Sequence, residues 1–132
     1  MRAVLDASAA IEIALDGKAA GRLFEILAGA EEVIAPELLI PELVNTVWKY
    51  QQFGQLDLAK CDLALAFAVG LVDRLVSHAE IYREAFAMSR AHRGRAAYDM
   101  FYLALARRED AALLTLDAAL KKAALREGIS VA

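Results

Sequence analysis

Short β-like runs alternate with stretches of helical periodicity along the chain. Residues 3–5 and 33–35 are brief apolar runs, and Pro36 follows the second of them. Between them, residues 18–28 place apolar side chains at a spacing of three and four residues, which predicts a helix. This alternation is typical of a parallel sheet that is covered by helices.

The rest of the chain continues the same pattern. Further helices are predicted at residues 37–53, 57–69, 77–91, 98–107 and 117–127. Further strands are predicted at residues 72–76, 113–116 and 129–131. Five strands with helices between them predict a doubly wound α/β domain.

Composition narrows the class of protein. The length of 132 residues predicts a single domain that spans residues 1–132. Hydrophobic residues make up 59% of the chain, against a usual share of about 45–50%, so we expect part of the surface to be buried against a partner. The net charge of −3 argues against a protein that binds nucleic acid mainly through bulk charge. It leaves room for a nuclease with a local basic rim.

Cysteine usage and the apolar segments bear on the compartment. Cys61 is the single cysteine, so an internal disulfide and a thiolate metal site are both excluded. No uncharged apolar run reaches the roughly 18 residues that a membrane span needs. Asp6 interrupts the first apolar stretch too early for a signal peptide. We therefore expect a soluble, cytoplasmic protein without a membrane partner.

Four acidic residues stand where a parallel sheet would place a ligand site. Asp6 follows the first predicted strand, Asp117 follows the fourth, and Asp99 opens a helix. Glu42 lies early in the long predicted helix, with Asn45 three residues later on the same face. In open parallel sheets the ligand site lies beyond the carboxyl ends of the strands. The sequence therefore predicts that these side chains meet at one edge.

Two interpretations of these acids remain open on residue type alone. Each acid taken singly could serve only as a helix cap or as a first-turn charge. Carboxylates that converge repel one another, however, and hard divalent cations with oxygen ligands relieve that repulsion. Mg²⁺ or Mn²⁺ suits such a set, because the chain has no Cys cluster and no His pair at ligand spacing.

Four segments of the chain resemble one known family. They are AVLDASA at residues 3–9, PELVNTVWK at 41–49, AAYDMFYLALA at 96–106 and LLTLDAAL at 113–120. In this order they resemble the PIN domain across essentially the whole chain, and specifically the VapC-type toxins of bacterial toxin–antitoxin systems. Met100 departs from the pattern, since relatives often have Ala after the aspartate.

The resemblance implies a fold, an activity and partners. The implied fold is a three-layer α/β/α sandwich with a mostly parallel five-stranded sheet. The implied activity is that of a metal-dependent endoribonuclease that acts on RNA, forms a homodimer and is inhibited by a cognate VapB-like antitoxin.

The resemblance also implies roles for individual residues. It makes Asp6, Glu42 and Asp99 the core catalytic and metal-binding acids, and Asp117 the fourth. The residues in supporting polar positions are Ser8, Asn45 and Thr115. Such acids hold Mg²⁺, which activates a water molecule for in-line attack on a phosphodiester. Products with a 3′-hydroxyl and a 5′-phosphate are expected, because the 2′-hydroxyl is not the nucleophile.

Basic residues precede Asp99 and are candidates for RNA binding. Residues 1–66 hold 5 basic and 10 acidic side chains, whereas residues 67–132 hold 10 and 8. Arg90, Arg93 and Arg95 could grip phosphates that flank the cut, or they could form an ordinary solvated helix end. The two histidines could instead form a metal-independent ribonuclease pair, which is the weaker hypothesis.

Two other classes of protein compete with the nuclease interpretation. The first is a catalytically inactive PIN-like domain that serves as an RNA- or protein-binding module. The second is a different doubly wound domain. A haloacid-dehalogenase-like phosphatase needs a second aspartate where Ser8 stands, and a receiver domain needs an acidic pair where Leu5 precedes Asp6. Both members of the second class fit poorly.

Overall fold

Two helices follow each of the first three strands, and one helix follows the fourth, in the computed structural model, which describes residues 1–132. The strands are β1 (Arg2–Leu5), β2 (Glu32–Pro36), β3 (Arg74–Val76) and β4 (Ala112–Leu114). The helices are α1 (Ala7–Ala14), α2 (Ala20–Ala28), α3 (Leu39–Gln52), α4 (Leu58–Gly70), α5 (His78–Ser89), α6 (Asp99–Arg108) and α7 (Ala118–Arg126). None of these helices combines the length and the apolar character that crossing a membrane requires.

The sheet is entirely parallel, with the strand order β3-β2-β1-β4. Strand β1 is central, and its Val4 pairs with Ile34 of β2 on one side and with Leu113 of β4 on the other. The chain moves from β1 to β2 and β3 in one direction and returns to β4 on the opposite side. The carboxyl ends of β1 and β4 therefore flank the point where strand order reverses, which is the usual ligand position in such sheets.

Helices cover both faces of the sheet. Successive side chains of a strand point to opposite faces, so Val4 belongs to one apolar cluster, and Ala3 and Leu5 belong to the other. Helices α5, α6 and α7 pack on the Val4 face, and α1 to α4 pack on the opposite face. The three-layer α/β/α sandwich is confirmed.

The predicted fifth strand at residues 129–131 is wrong in extent, and the sheet has four strands. Val131 makes one isolated parallel bridge, to Leu113. The N–H of Ile129 instead donates to the carbonyl oxygen of Ala124 in the last turn of α7, at 2.9 Å. Because this residue closes the helix, its amide is not available to a ladder, and only a single rung forms beyond β4.

Helix α1 is absent from the sequence-based prediction. It is short and rich in alanine, and its buried positions follow one another closely, at Ala9, Ala10, Ile11 and Ile13. A helix buried around much of its circumference lacks the polar face that periodicity detects. The Ala content was the available signal, because Ala has the highest helix propensity. The helix matters for the site, since it places Asp6 between the end of β1 and the first turn of α1.

Candidate active site

A cavity of about 390 Å³ opens at the carboxyl edge of the sheet, and all four predicted acids line it. Asp6 comes from the end of β1, Glu42 from the first turn of α3, and Asp99 from the start of α6. Asp117 precedes α7. We call this space the acid cavity. The structure thus brings together side chains that are far apart along the chain, as the strand-end argument predicts.

Asp6 is the most enclosed of the four acids, with only 5% of its surface exposed. Its carboxylate accepts hydrogen bonds from the hydroxyl of Thr115, from the hydroxyl of Ser8 at 2.8 Å and from the N–H of Ala9 at 3.0 Å. Burial nevertheless raises the pKa of the Asp6 carboxyl above its usual value, and the charge of Asp117 adds to the rise. The donors fix the orientation of the side chain without fully compensating its charge.

Ser8 and Thr115, two of the predicted supporting residues, join the ends of β1 and β4. Besides donating to Asp6, the Ser8 hydroxyl accepts the N–H of Leu116 at 2.9 Å. The Thr115 hydroxyl likewise accepts the N–H of Asp117 at 3.0 Å. Each hydroxyl therefore uses its proton on the buried carboxylate and its lone pair on the loop after β4.

Glu42 is half-buried and is held by a residue that the sequence analysis missed. The phenol of Tyr102 donates to Oε1 of Glu42 at 2.6 Å. Burial raises the pKa of the Glu42 carboxyl, the Tyr102 hydrogen bond lowers it, and the charges of Asp6 and Asp99 raise it further. Burial, followed by the negative charge of Glu42, also raises the pKa of the Tyr102 phenol, which stays a donor. Tyr102 lies three residues after Asp99, so helical spacing was the available signal.

Asp117 combines the two interpretations that the sequence left open. Its Oδ1 caps α7 by accepting the N–H groups of Ala119 and Leu120, at 2.9 and 3.1 Å. Its Oδ2 lies 3.4 Å from a guanidinium nitrogen of Arg95. Capping and participation in the acid cavity are therefore compatible, because each uses a different carboxylate oxygen.

The three arginines predicted to bind RNA lie in different settings. Arg95 pairs with two of the acids, because its Nη2 lies 2.9 Å from Oδ2 of Asp99 and also contacts Asp117. Its Nε is buried without a hydrogen-bond partner. Arg93 is exposed, and the guanidinium of Arg90 lies 5.5 Å from the ring centre of Phe86. Arg95 alone touches the acids directly.

The remaining polar predictions lie outside the acid cavity. Asn45 is exposed, and Thr46 and Tyr50 of α3 line the cavity instead. Nε2 of His78 accepts the N–H of Leu38 at 2.7 Å, and Nε2 of His92 lies 2.7 Å from Glu127. Both histidines thus have structural partners, and the structure offers no support for a histidine pair in the cavity.

The donor set suits a hard divalent cation in its chemistry. The charged groups that line the cavity are the four predicted acids and Glu12, and all five are carboxylates. Carboxylates are preferred ligands of Mg²⁺ and Mn²⁺. Two of them, Asp6 and Glu42, have raised pKa values, so their charged forms lack compensation. No three acidic, histidine or cysteine side chains form a ready-made ligand cluster. The residues therefore fit such an ion by type and charge rather than as a finished coordination shell.

Comparisons with known proteins agree over nearly the whole chain. The family model described as the PIN domain matches residues 3–125. A curated protein, Ribonuclease VapC3 of Pyrobaculum aerophilum, is 31% identical over 119 residues, which cover 89% of this chain and 90% of that protein. The crystal structure of PAE2754 from Pyrobaculum aerophilum matches with a TM-score of 0.68 and 22% identity, over 93% of this chain and 79% of that one. This last likeness concerns the fold alone.

Proposed function

The chain belongs to the PIN domain family, and on that premise we propose that it is a metal-dependent endoribonuclease of the VapC type, the toxin of a toxin–antitoxin system. The acid cavity carries this proposal, because it gathers Asp6, Glu42, Asp99 and Asp117 at the point where strand order reverses. The relative named Ribonuclease VapC3 supports the same activity.

We assign Mg²⁺, or alternatively Mn²⁺, to four carboxylates of the acid cavity, those of Asp6, Glu42, Asp99 and Asp117. When bound, such an ion supplies water activation and charge neutralisation in phosphodiester hydrolysis. The side chains prepare the site for it. The Thr115 and Ser8 hydroxyls hold Asp6 in one orientation, and the Tyr102 phenol does the same for Glu42. Attack by water leaves a 3′-hydroxyl and a 5′-phosphate.

A cleavage assay tests the proposal. The full chain is incubated with single-stranded RNA in Mg²⁺ or in EDTA, beside the Asp6→Asn variant. We expect cleavage only for the wild type in Mg²⁺, with 5′-phosphate on the downstream product. Undiminished cleavage in EDTA, or products that end in a 2′,3′-cyclic phosphate, would contradict the proposed chemistry.

A catalytically inactive binding module is the second candidate. The observation that favours it is the pairing of Arg95 with Asp99 and Asp117, since an arginine can neutralise acids without any metal. The same assay separates the two functions. A binding module retains RNA or a protein partner in Mg²⁺ and leaves the RNA intact.

We also propose a homodimer and a VapB-like antitoxin as partners. Val44 and Trp48 of α3 are 50% and 55% exposed, so this helix offers apolar surface beside the acid cavity. An antitoxin helix laid along α3 would bury that surface. An antitoxin arginine could then pair with Asp6, Glu42 or Asp99, because its planar fork binds carboxylates bidentately.

Light scattering coupled to size exclusion tests the dimer, and cleavage in a Mg²⁺ series with antitoxin tests the arginine. Because the arginine and the cation compete for the same oxygens, inhibition should weaken as Mg²⁺ rises. A strict monomer, together with inhibition that is equal at every Mg²⁺ concentration, would contradict both parts.

A further inference from the structure

A second cleft, of about 260 Å³, adjoins the acid cavity and has the opposite charge. We call it the basic cleft. Its cationic lining residues are Arg93, Arg95, Lys122 and Arg126. No carboxylate lines it. The two spaces meet at Arg95, which lines the basic cleft and also pairs with the acid-cavity residues Asp99 and Asp117.

Most of the charge in the basic cleft is not neutralised by the protein. No carboxylate lies within ion-pair distance of Arg93, Lys122 or Arg126. By contrast, the buried His92 of the same cleft contacts Glu127. Like charges that share a cleft repel one another. An anionic ligand relieves that repulsion.

The lining of the basic cleft runs along one face of a helix, which suits an extended strand. Helix α7 presents Ala119, Lys122, Ala123 and Arg126 to it, a spacing that places all of them on one face. The alanines leave room for a close approach, and the Lys122 and Arg126 side chains are exposed. Asp117 caps this helix, and Arg126 lies about 13 Å further along its axis. Several stacked nucleotides, each rising about 3.4 Å, span such a distance.

We propose that the basic cleft binds phosphates of the RNA strand that flank the bond to be cut. The inference rests on the proposed ribonuclease function and adds Lys122 and Arg126 to the substrate contacts. Arg93 completes the contacts, and Arg95 marks the junction with the acid cavity. The cleft also explains how RNA reaches an acidic site, since a cavity lined by five carboxylates repels a polyanion and a neighbouring positive surface attracts it.

A matched pair of double variants tests the proposal. Lys122→Gln with Arg126→Gln removes two positive charges from the cleft. Arg22→Gln with Lys60→Gln removes two exposed charges from α2 and α4, on the opposite face of the sheet. Binding is measured in EDTA by fluorescence anisotropy over a salt series. The probe is a labelled single-stranded RNA of about 20 nucleotides. This length exceeds the ~4–16 nucleotides that a single-strand-binding domain typically covers.

We expect the cleft variant to bind RNA about tenfold more weakly at low salt. The slope of log affinity against log salt should become shallower by roughly 0.7 for each lost phosphate contact, hence by about 1.4 for two. The control variant should stay within about twofold of the wild type, because its charges lie far from the cleft. Melting temperatures of both variants should match the wild type, since all four side chains are exposed.

Several outcomes would overturn the inference, and they are distinguishable from failure of the proposed function. If the wild type cuts RNA but the cleft variant binds it with unchanged affinity and slope, the cleft assignment fails alone. Equal losses in the cleft and control variants would mean that only total charge matters. Polyglutamate serves as a second probe in the same assay. If the cleft variant loses binding to polyglutamate but binds RNA as the wild type does, the ligand of the cleft is an acidic protein rather than RNA. A wild type that neither binds nor cuts RNA would overturn both proposals.

Discussion

The two ends of the parallel sheet use the same charged residue types in opposite ways. At the amino end, Arg74 binds Glu32 at 2.8 Å and Glu109 at 3.3 Å. Arg2 binds Glu109 at 3.1 Å. Every carboxylate of this network therefore faces a guanidinium. At the carboxyl end the four predicted acids and Glu12 line one cavity, and Arg95 is the cation that pairs with any of them.

The pKa shifts express the same contrast. The hydrogen bond from Arg74 lowers the pKa of Glu32, whereas burial raises the pKa of Asp6 and Glu42. The charged form of Glu32 thus suits the fold at the amino end, whereas the charged forms of Asp6 and Glu42 oppose it at the carboxyl end. A cluster that opposes the fold and still has ordered hydrogen-bond partners is where a functional site is expected. Residue type alone does not distinguish the two ends, but the presence of a counter-charge does.

The largest expected effect comes from removing one acid of the carboxyl end. Asp6→Asn or Asp99→Asn should reduce Mg²⁺-dependent cleavage by more than about 100-fold, the upper range for residues that merely support metal ligands. Circular dichroism should show an intact fold. Glu32→Gln, at the amino end, serves as the matched control and should leave cleavage unchanged. Full activity in both aspartate variants would remove the metal-site assignment.

Metal binding should stabilise the carboxyl end specifically. An ion that binds only the folded chain, at 100 times its dissociation constant, adds about 2.7 kcal/mol to the free energy of unfolding. Millimolar Mg²⁺ or Mn²⁺ should therefore raise the melting temperature of the wild type. The rise should persist in Glu32→Gln and shrink in Asp6→Asn. A melting temperature indifferent to either metal would mean that the acids serve only as separate helix caps.

Loss of the Tyr102 phenol should weaken the site without removing a ligand. Tyr102→Phe deletes the hydrogen bond to Glu42, and loss of such an outer contact typically reduces metal affinity or activity about 10- to 100-fold. The Mg²⁺ concentration for half-maximal cleavage should rise by about tenfold. Tyr82→Phe, at an exposed tyrosine on α5, is the control. An unchanged Mg²⁺ requirement in Tyr102→Phe would show that Glu42 needs no such support.

The smallest expected effect is on the stability of the metal-free protein. The pH dependence of this stability should have opposite signs for an acid at the carboxyl end of the sheet and an acid at the amino end. The pKa of Glu42 is higher in the folded chain than in the unfolded chain, so protonated Glu42 stabilises the fold. This stabilisation is fully present below the unfolded pKa and is lost as pH rises through the folded pKa. Glu42→Gln should therefore stabilise the metal-free protein at pH 7 by about 1 kcal/mol or less, since the side chain is only half-buried. The gain should disappear in acid.

The stability contribution of Glu32 should depend on pH in the opposite direction to that of Glu42. Its folded pKa is lowered, so its contribution is present above the unfolded pKa and is lost as pH falls. Glu32→Gln should slightly lower the melting temperature at pH 7, and added salt should reduce the difference. Thermal unfolding from pH 2 to 8 measures both variants, because the lowered pKa of Glu32 is reached only in acid. If the melting temperatures of the two variants changed with pH in the same direction relative to the wild type, the proposed difference between the two ends would be contradicted.

The sequence predicted the layers and the meeting of the acids because both follow from general rules. Parallel strands share an edge at their carboxyl ends, so residues directly after β1 and β4 must lie close together. Asp6 and Asp117 met that condition. Helix α4 was predicted to start at residue 57, and it begins at Leu58, where the side chain of Asp57 caps it by accepting the N–H of Lys60 at 2.9 Å. The catalytic role of these acids stays a prediction.

The missed details depend on tertiary contacts that local patterns do not contain. Asn45 and Thr46 lie three and four residues after Glu42, on either side of its direction around the helix. Periodicity could not decide which of them faces the cavity, and Thr46 does. The attachment of Arg95 to two acids also depends on where α7 packs, which no local signal specifies.

The hydrogen bond from Thr115 to Asp6 joins residues that are 109 positions apart. At a synthesis rate of 5–20 residues per second, a ribosome needs about 5–20 s to make the intervening chain. During that time β1 cannot pair with its neighbour β4, which has not yet been synthesised. Pairing between strands so far apart in sequence is also intrinsically slow. A nascent polypeptide that has exposed its first aspartate therefore still lacks the other half of the cavity. Full-length translation therefore precedes assembly of the acid cavity, and truncated products that end before β4 lack both Thr115 and Asp117.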